Sequence, residues 1–293
     1  MIQSEIRNPR PDIFIVALVG AGGKMGHRII DHLASHSGYQ LRSVETGVRG
    51  LASLSARGVS VMPVDQALEG ADIVILALPD RVLGEAAREI VPKVKSGCLV
   101  VTLDPAAAHA GELPERADVA YFVTHPCHPS VFDHFETEAE RNDFFGGTHA
   151  KQAIVCALMQ GTEDDYERGE QLGCDIYAPV TRPHRLTVEQ MAMLEPAMAE
   201  TVGICLIRAL REALEEVVAR GVPRAAAEDF LYGHIKVPLG IAFERVDFPF
   251  SDGAKLIAEY GRQRILHPDW KKVFDRDNVR EQCQAITSGM LPE

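Results

Sequence analysis

The 293-residue chain lacks any excess of positive charge: 30 Lys and Arg stand against 42 Asp and Glu, a formal net charge of -12. Nucleic acids and anionic membrane surfaces are held by clustered Lys and Arg, so this composition argues against both as partners. A small anionic substrate stays open, because a few local cations and backbone donors are enough to hold one. The six cysteines (Cys98, Cys127, Cys156, Cys174, Cys205 and Cys283) include no C-x-x-C pair and no small-scaffold spacing. They read as thiols of a reducing compartment. Long apolar runs are missing too. The run that begins at Ile13 stops by Lys24, too short to span a bilayer. Residues 1–12 are polar, carry Glu5 and do not read as a secretory signal. A cytoplasmic protein is expected. There is no G-x-S-x-G and no H-E-x-x-H, and Gly26-His27 breaks the G-K-[ST] of a P-loop. Hydrolase and phosphotransferase chemistry therefore have no motif behind them. Repeats, low-complexity tracts and flexible linkers are absent as well.

What is present begins with a strand, a glycine turn and a helix. The apolar run Ile13-Phe14-Ile15-Val16-Ala17-Leu18 leads into Val19-Gly20-Ala21-Gly22-Gly23-Lys24-Met25-Gly26, and a helical pattern follows over residues 24–34. This is the context that a dinucleotide-binding fingerprint requires. Gly20 allows the tight turn, the pair Gly22 and Gly23 lets the backbone approach a pyrophosphate, and Gly26 lets helix pack on strand. Lys24 and Met25 open the helix whose N–H groups and dipole would face the phosphates. Glu45 stands 19 residues after Gly26 at the end of the next strand. A carboxylate there accepts hydrogen bonds from ribose hydroxyls and repels a 2′-phosphate, which favours NAD. Arg42 and Arg49 are near enough in sequence to keep NADP open.

Strand and helix signals alternate over the first ~125 residues, the mark of βαβ units and a parallel sheet. Strands are expected at 13–18, 41–45, 59–62, 71–79, 98–103 and 119–123, with a helix over 81–93. This is an α/β fold, an N-terminal Rossmann doubly wound parallel sheet. Residues 132–151 read as an irregular loop, followed by strands at 153–158 and 174–180 with a helix over 163–172 between them. Thr187 and Gln190 form a capping box before a helical run from Val188 to about Arg220, roughly 50 Å at ~1.5 Å per residue. Gly221 stops it and Pro223 starts the next helix. Further helices are expected over 224–244, 252–265 and 277–288. The division is thus a dinucleotide-binding domain over 1–183, with extra strands, and an all-helical substrate and dimerisation domain over 184–293. A helix longer than one small domain can cover implies a homodimer.

Ligands of open parallel sheets bind at the carboxyl ends of the strands. That edge collects Gly20 to Gly26, Leu78-Pro79, and His125 and His128 of the segment after residue 123. His125 is the first choice for chemistry, since an imidazole titrates near neutrality, orients an alcohol or ligates a metal. A second group surrounds the long helix: His184, Arg185, Glu189, Glu195 and Glu200. Glu195 falls among Met191, Met193, Leu194 and Met198, so its carboxylate needs a partner, a metal or a proton. His234 and Lys236, flanked by Gly233 and Pro238, form a third group, where a helix irregularity is expected.

This arrangement resembles the 6-phosphogluconate dehydrogenase-like superfamily of β-hydroxyacid dehydrogenases, in which a Rossmann domain precedes an all-helical, dimer-forming domain. Three segments are more specific: Thr124-His125-Pro126-Cys127-His128-Pro129-Ser130-Val131-Phe132, residues 152–161 and residues 184–192. Together they are similar to the D-apionate oxidoisomerase family. The resemblance implies a sugar-acid substrate and NAD, which takes hydride from the C2 hydroxyl before a hydroxymethyl group migrates from C3 to C2. Such chemistry calls for a base and an electrophile, and a divalent metal supplies the second. The resemblance gives His125 and Glu195 as ligands and catalytic groups, with His234 as acid or base. The acidic cluster that holds two magnesium ions in ketol-acid reductoisomerases is missing, and so is the K-x-x-x-N pair of simple 3-hydroxyacid dehydrogenases. Plain NAD(P)-dependent dehydrogenation and non-catalytic dinucleotide binding stand as alternatives.

Overall fold

Residues 13–291 are described in a computed structural model. Seven strands form one sheet: β1 (Phe14–Val19), β2 (Tyr39–Val44), β3 (Ile73–Leu76), β4 (Leu99–Thr102), β5 (Ala120–Pro126), β6 (Gln152–Gln160) and β7 (Val180–Arg185). Their order is β2-β1-β3-β4-β5-β6-β7. The first five are mutually parallel, β6 runs antiparallel to β5, and β7 is parallel to β6.

Strand alternation builds a core on each face. Val16 and Leu18 of β1, with Ile73 and Ile75 of β3, pack against α1 (Lys24–Leu33) and α7 (Glu163–Ile176). Ala17 and Val19, with Val74 and Leu76, pack against α3 (Val64–Leu68) and α4 (Asp80–Ile90). Both faces are covered, which is why these strands read as continuous apolar runs. Burying each Val, Leu or Ile contributes about 1.5–3 kcal/mol.

Also before Pro196 lie α2 (Val48–Ala56), α5 (Ala106–Ala110), α6 (Glu138–Asn142) and α8 (Val188–Ala192). Then come α9 (Cys205–Ala219), α10 (Arg224–Ala242), α11 (Asp252–Ile265) and α12 (Arg276–Ser288). The chain divides into two compact units. One runs through Glu195 and resumes at Arg280; the other is Pro196–Val279. The expected boundary at 183/184 falls inside β7.

Four expectations are corrected. Residues 59–62 make no strand but a single parallel bridge, Val61 to Ser43, where the outer strand of a Rossmann order would lie. Residues 174–176 belong to α7, and the strand starts at Val180. Here a Thr162 capping box fixes the helix start, and helical propagation overrides the short β-like run at its end. The helix from Val188 is not uniform: α8 gives way to a π-helical segment, Met193–Ile204, before α9. Pro196 has no N–H and its ring crowds the carbonyl four residues earlier, a conflict that a wider turn relieves. Around His234 and Lys236 no irregularity occurs; α10 runs through both and through Pro238. The polar segment 1–12 lies outside the described residues. No helix among the described residues is long and apolar enough to cross a membrane.

Candidate active site

Because β1, β3, β4 and β5 are parallel, their carboxyl ends share one edge. A cleft of about 330 Å³ opens there, lined by Gly23, Lys24 and Met25 from the glycine turn and by Leu78 and Pro79 after β3. Asp80, Asp104 and His125 line it as well. Five of the expected cofactor residues, Gly23, Lys24, Met25, Leu78 and Pro79, thus line one cleft with the first-choice histidine.

The glycine turn is built by close approach. Gly20 has φ +85°, and a Cβ there would lie 2.3 Å from the Ala77 carbonyl oxygen. A Cβ on Gly26 would lie 2.4 Å from the carbonyl oxygens of Gly20 and Ala21. Gly22 departs from its expected role. Its open side is closed by Gly50 Cα, 2.4 Å from where a Cβ would stand, and by the Glu45 carboxylate. Only Gly23, whose Cβ would meet nothing closer than 3.4 Å, leaves the backbone approachable. Glu45 Oε2 accepts the Gly22 N–H at 2.9 Å, while Oε1 accepts those of Thr46 and Gly47 at 2.8 and 2.7 Å. The carboxylate is thus fixed beside the turn. Arg42 is committed elsewhere: its guanidinium donates to the carbonyls of Gln66, Ala67 and Glu69. Arg49 lies in the first turn of α2.

His125 stands in β5 itself, one residue before its end, not after the strand. Its Nδ1–H donates to the Leu103 carbonyl at 2.7 Å, since a carbonyl only accepts. That bond leaves Nε2 to face Glu195 Oε2 at 3.3 Å. Glu195 is delivered by the start of the π segment, just after α8. The Thr187 capping box holds that helix: Gln190 N–H donates to Thr187 Oγ1 at 3.1 Å and Thr187 N–H to Gln190 Oε1 at 2.9 Å. So the carboxylate that interrupts an apolar stretch has a partner, the His125 imidazole at the sheet edge.

Asp104, two residues past the end of β4, is the residue that sequence reasoning missed. Its Oδ2 lies 3.9 Å from His125 Nδ1. The strand-end rule that selected Leu78, Pro79 and His125 applies equally to Leu103-Asp104, which is the signal that could have found it. Burial, and then the charge of Asp80, raise the Asp104 carboxyl to about 6. Burial also raises Asp80. For His125, burial favours the neutral ring, but the hydrogen bond and charge of Glu195, joined by Asp104, overcome it and raise the imidazole to about 9. Burial likewise works against ionised Glu195; the His125 bond and charge outweigh it and hold that carboxyl below its ordinary value.

One ligand atom each from Asp104, His125 and Glu195 lies within 4.8 Å of the others. Two carboxylates and an imidazole whose other nitrogen is pinned by a carbonyl form a donor set that suits a divalent cation. The surplus of buried negative charge, with Asp80 adjacent, fits such an ion too.

His128 sits beside this cluster with φ +60°, unusual for a residue with a side chain. Its ring lies edge-on to His125 at 6.1 Å, and its Nδ1–H donates to the Phe145 carbonyl at 3.0 Å. Of the other candidates, His184, Arg185 and Glu189 are not gathered here. Arg185 pairs with Glu163 and covers the Tyr166 ring at 3.8 Å. His184 is exposed on β7 and Glu189 lies in the first turn of α8. Glu200, His234 and Lys236 belong to the second unit. There His234 stacks on Phe230 at 3.9 Å, with Nδ1 2.8 Å from the Phe230 carbonyl.

A family model for the C-terminal domain of decarboxylating phosphogluconate dehydrogenase matches residues 133–287, and one for coenzyme F420-dependent NADP oxidoreductase matches residues 15–105. A D-apionate oxidoisomerase of Rhizobium rhizogenes is 48% identical over 274 residues, covering 93% of this chain and 99% of its own length. The chain belongs to the D-apionate oxidoisomerase family. Another D-apionate oxidoisomerase, from Cupriavidus necator, is 45% identical over the same shares of both chains. Among solved structures, a semialdehyde dehydrogenase NAD-binding protein from Cupriavidus necator, in complex with calcium and NAD, superposes with a TM-score of 0.90 at 44% identity. That match covers 93% of this chain and 99% of the other. Membership in the oxidoisomerase family agrees with the α/β Rossmann architecture and its helical C-terminal portion.

Proposed function

We propose that the protein is an NAD-dependent oxidoisomerase that oxidises the C2 hydroxyl of D-apionate and moves the hydroxymethyl group from C3 to C2, giving 3-oxo-isoapionate. The observation that carries this reading is the Asp104–His125–Glu195 cluster, whose Asp104 and His125 line the glycine-turn cleft, in a chain of this family. NAD, when bound, supplies the hydride acceptor. Gly20, Gly22, Gly23 and Gly26 shape its turn, and the backbone N–H groups of Lys24 and Met25 face its pyrophosphate. Leu78 and Pro79 wall the cleft. Glu45, fixed by three N–H groups, takes the ribose hydroxyls, and the commitment of Arg42 to carbonyls supports NAD over NADP.

The Glu195 carboxylate takes the proton of the C2 hydroxyl, beside the His125 ring that the Leu103 carbonyl aims from behind. Asp104, His125 and Glu195 would hold a divalent ion, which when bound supplies a Lewis acid at the substrate oxygens. His234 is the proposed acid or base of the rearrangement; His234→Ala should then keep hydride transfer and lose the rearranged product. The first unit carries the cofactor, and the helical unit pairs two chains into a cytoplasmic homodimer.

Purified protein with D-apionate and NAD tests the reading. NADH formation with a rearranged carbon skeleton by NMR is expected. NADH with an unrearranged 2-oxo acid would leave a plain hydroxyacid dehydrogenase, and no NADH would remove the substrate.

A further inference from the structure

The wall of the cleft carries three acidic groups or their neighbours, Asp80, Asp104 and, through His125, Glu195, and a single lysine or arginine, Lys24. A sugar acid brings its own negative charge into this surplus, so its carboxylate needs a cation held apart from the acidic cluster. Lys24 meets that need. Among the described residues it forms no ion pair; its ammonium lies 3.2 Å from the centroid of the Phe145 ring. An aromatic face holds a cation without neutralising it, which leaves the charge for a ligand.

Phe145 is itself held in place. The Gly147 carbonyl accepts from His32 Nε2 at 2.8 Å, and Arg28 packs on Gly147, where a Cβ would stand 2.8 Å from its Nη2. Lys24, Arg28 and His32 are spaced four apart and form one stripe of α1, so the cofactor helix grips the loop that carries Phe145. The Phe145 carbonyl at the same time accepts from His128, whose ring abuts His125. One residue thus aims the cation on one side and is tied toward the reacting centre on the other.

We propose that Lys24, aimed by Phe145, binds the C1 carboxylate of the substrate and makes the site specific for the acid over its uncharged derivatives. This rests on the proposed sugar-acid reaction. Lys24 is the specificity-determining residue, and Phe145 positions it.

The test compares wild type, Lys24→Met, Lys24→Arg and Phe145→Leu. Calorimetry in saturating NADH, which cannot accept hydride, measures binding of D-apionate and of its carboxamide, and a separate titration measures NAD alone. In Lys24→Met the affinity for the acid should fall about tenfold to a hundredfold, the size of a lost charged hydrogen bond. Carboxamide and NAD affinities should stay within about twofold. Lys24→Arg should recover part of the loss, and Phe145→Leu should show a smaller loss of the same pattern. Unchanged acid affinity in Lys24→Met would overturn the assignment, and so would an equal loss of NAD affinity, which would make Lys24 a pyrophosphate ligand. Wild type that binds the acid through Lys24 without turning it over would sink the reaction and keep the anchor. Wild type that binds no acid at all would sink both.

Discussion

At the scale of single residues the site is an electrostatic compromise. His125 is 18% exposed at its side chain, and Glu195 27%, so neither charge is comfortable without the other. The consequence is a pH dependence of known sign. The imidazole is raised to about 9 in the fold, above its ordinary 6.5, so folding favours the protonated ring. The stability this lends is complete below about 6.5 and is lost as pH rises through about 9, amounting at most to about 3 kcal/mol. In the presence of a chelator, the Tm gap between wild type and His125→Gln should therefore be widest near pH 6 and nearly close by pH 10. A gap that is constant across this range would show that Glu195 does not hold the ring charged.

At the scale of elements two local devices place the chemistry. The glycine turn depends on a left-handed residue pressed on a carbonyl. Gly20→Ala should cost at least about 1–3 kcal/mol, read as a lower denaturation midpoint, and should abolish NAD binding. Wild-type affinity in that variant would mean the turn can relax. The capping box of α8 fixes the helix that delivers Glu195. Thr187→Ala should lower stability by about 1 kcal/mol. It should also lower kcat more than it raises KM, because the loss falls on the placement of the carboxylate and not on the binding wall. Steady-state kinetics on D-apionate separate the two. Unchanged kcat would mean that the π segment holds Glu195 without the cap.

At the scale of the whole molecule the second unit presents a large apolar surface. Ile207 is 66% exposed, Phe248 74%, Leu256 70% and Ile257 65%. Several large apolar side chains left exposed on one unit point to an interface, and a second copy of the chain is the proposed occupant. Light scattering at micromolar concentration should give a dimer mass, and Leu256→Asp with Ile257→Asp should give a monomer. A wild-type monomer would refute the pairing.

Much of this was legible from residues alone. Strand periodicity and glycine spacing act over a few residues, so β1, the turn, α1, the buried strands and the Thr187 capping box follow from local chemistry. Glu45 and His125 were found because the ends of parallel strands lie on one edge whatever the loops do. The sequence also decided that Glu195 needs a partner, since a carboxylate inside an apolar stretch cannot stay alone. Its choice of His125, 70 positions earlier, was decided by the tertiary structure, which brings the end of β5 and the start of the π segment together. So were the addition of Asp104, the commitment of Arg42 to carbonyls, and the grip of α1 on the Phe145 loop. Each is a contact between residues far apart in the chain, set by how the packed elements meet, and no short-range pattern encodes it.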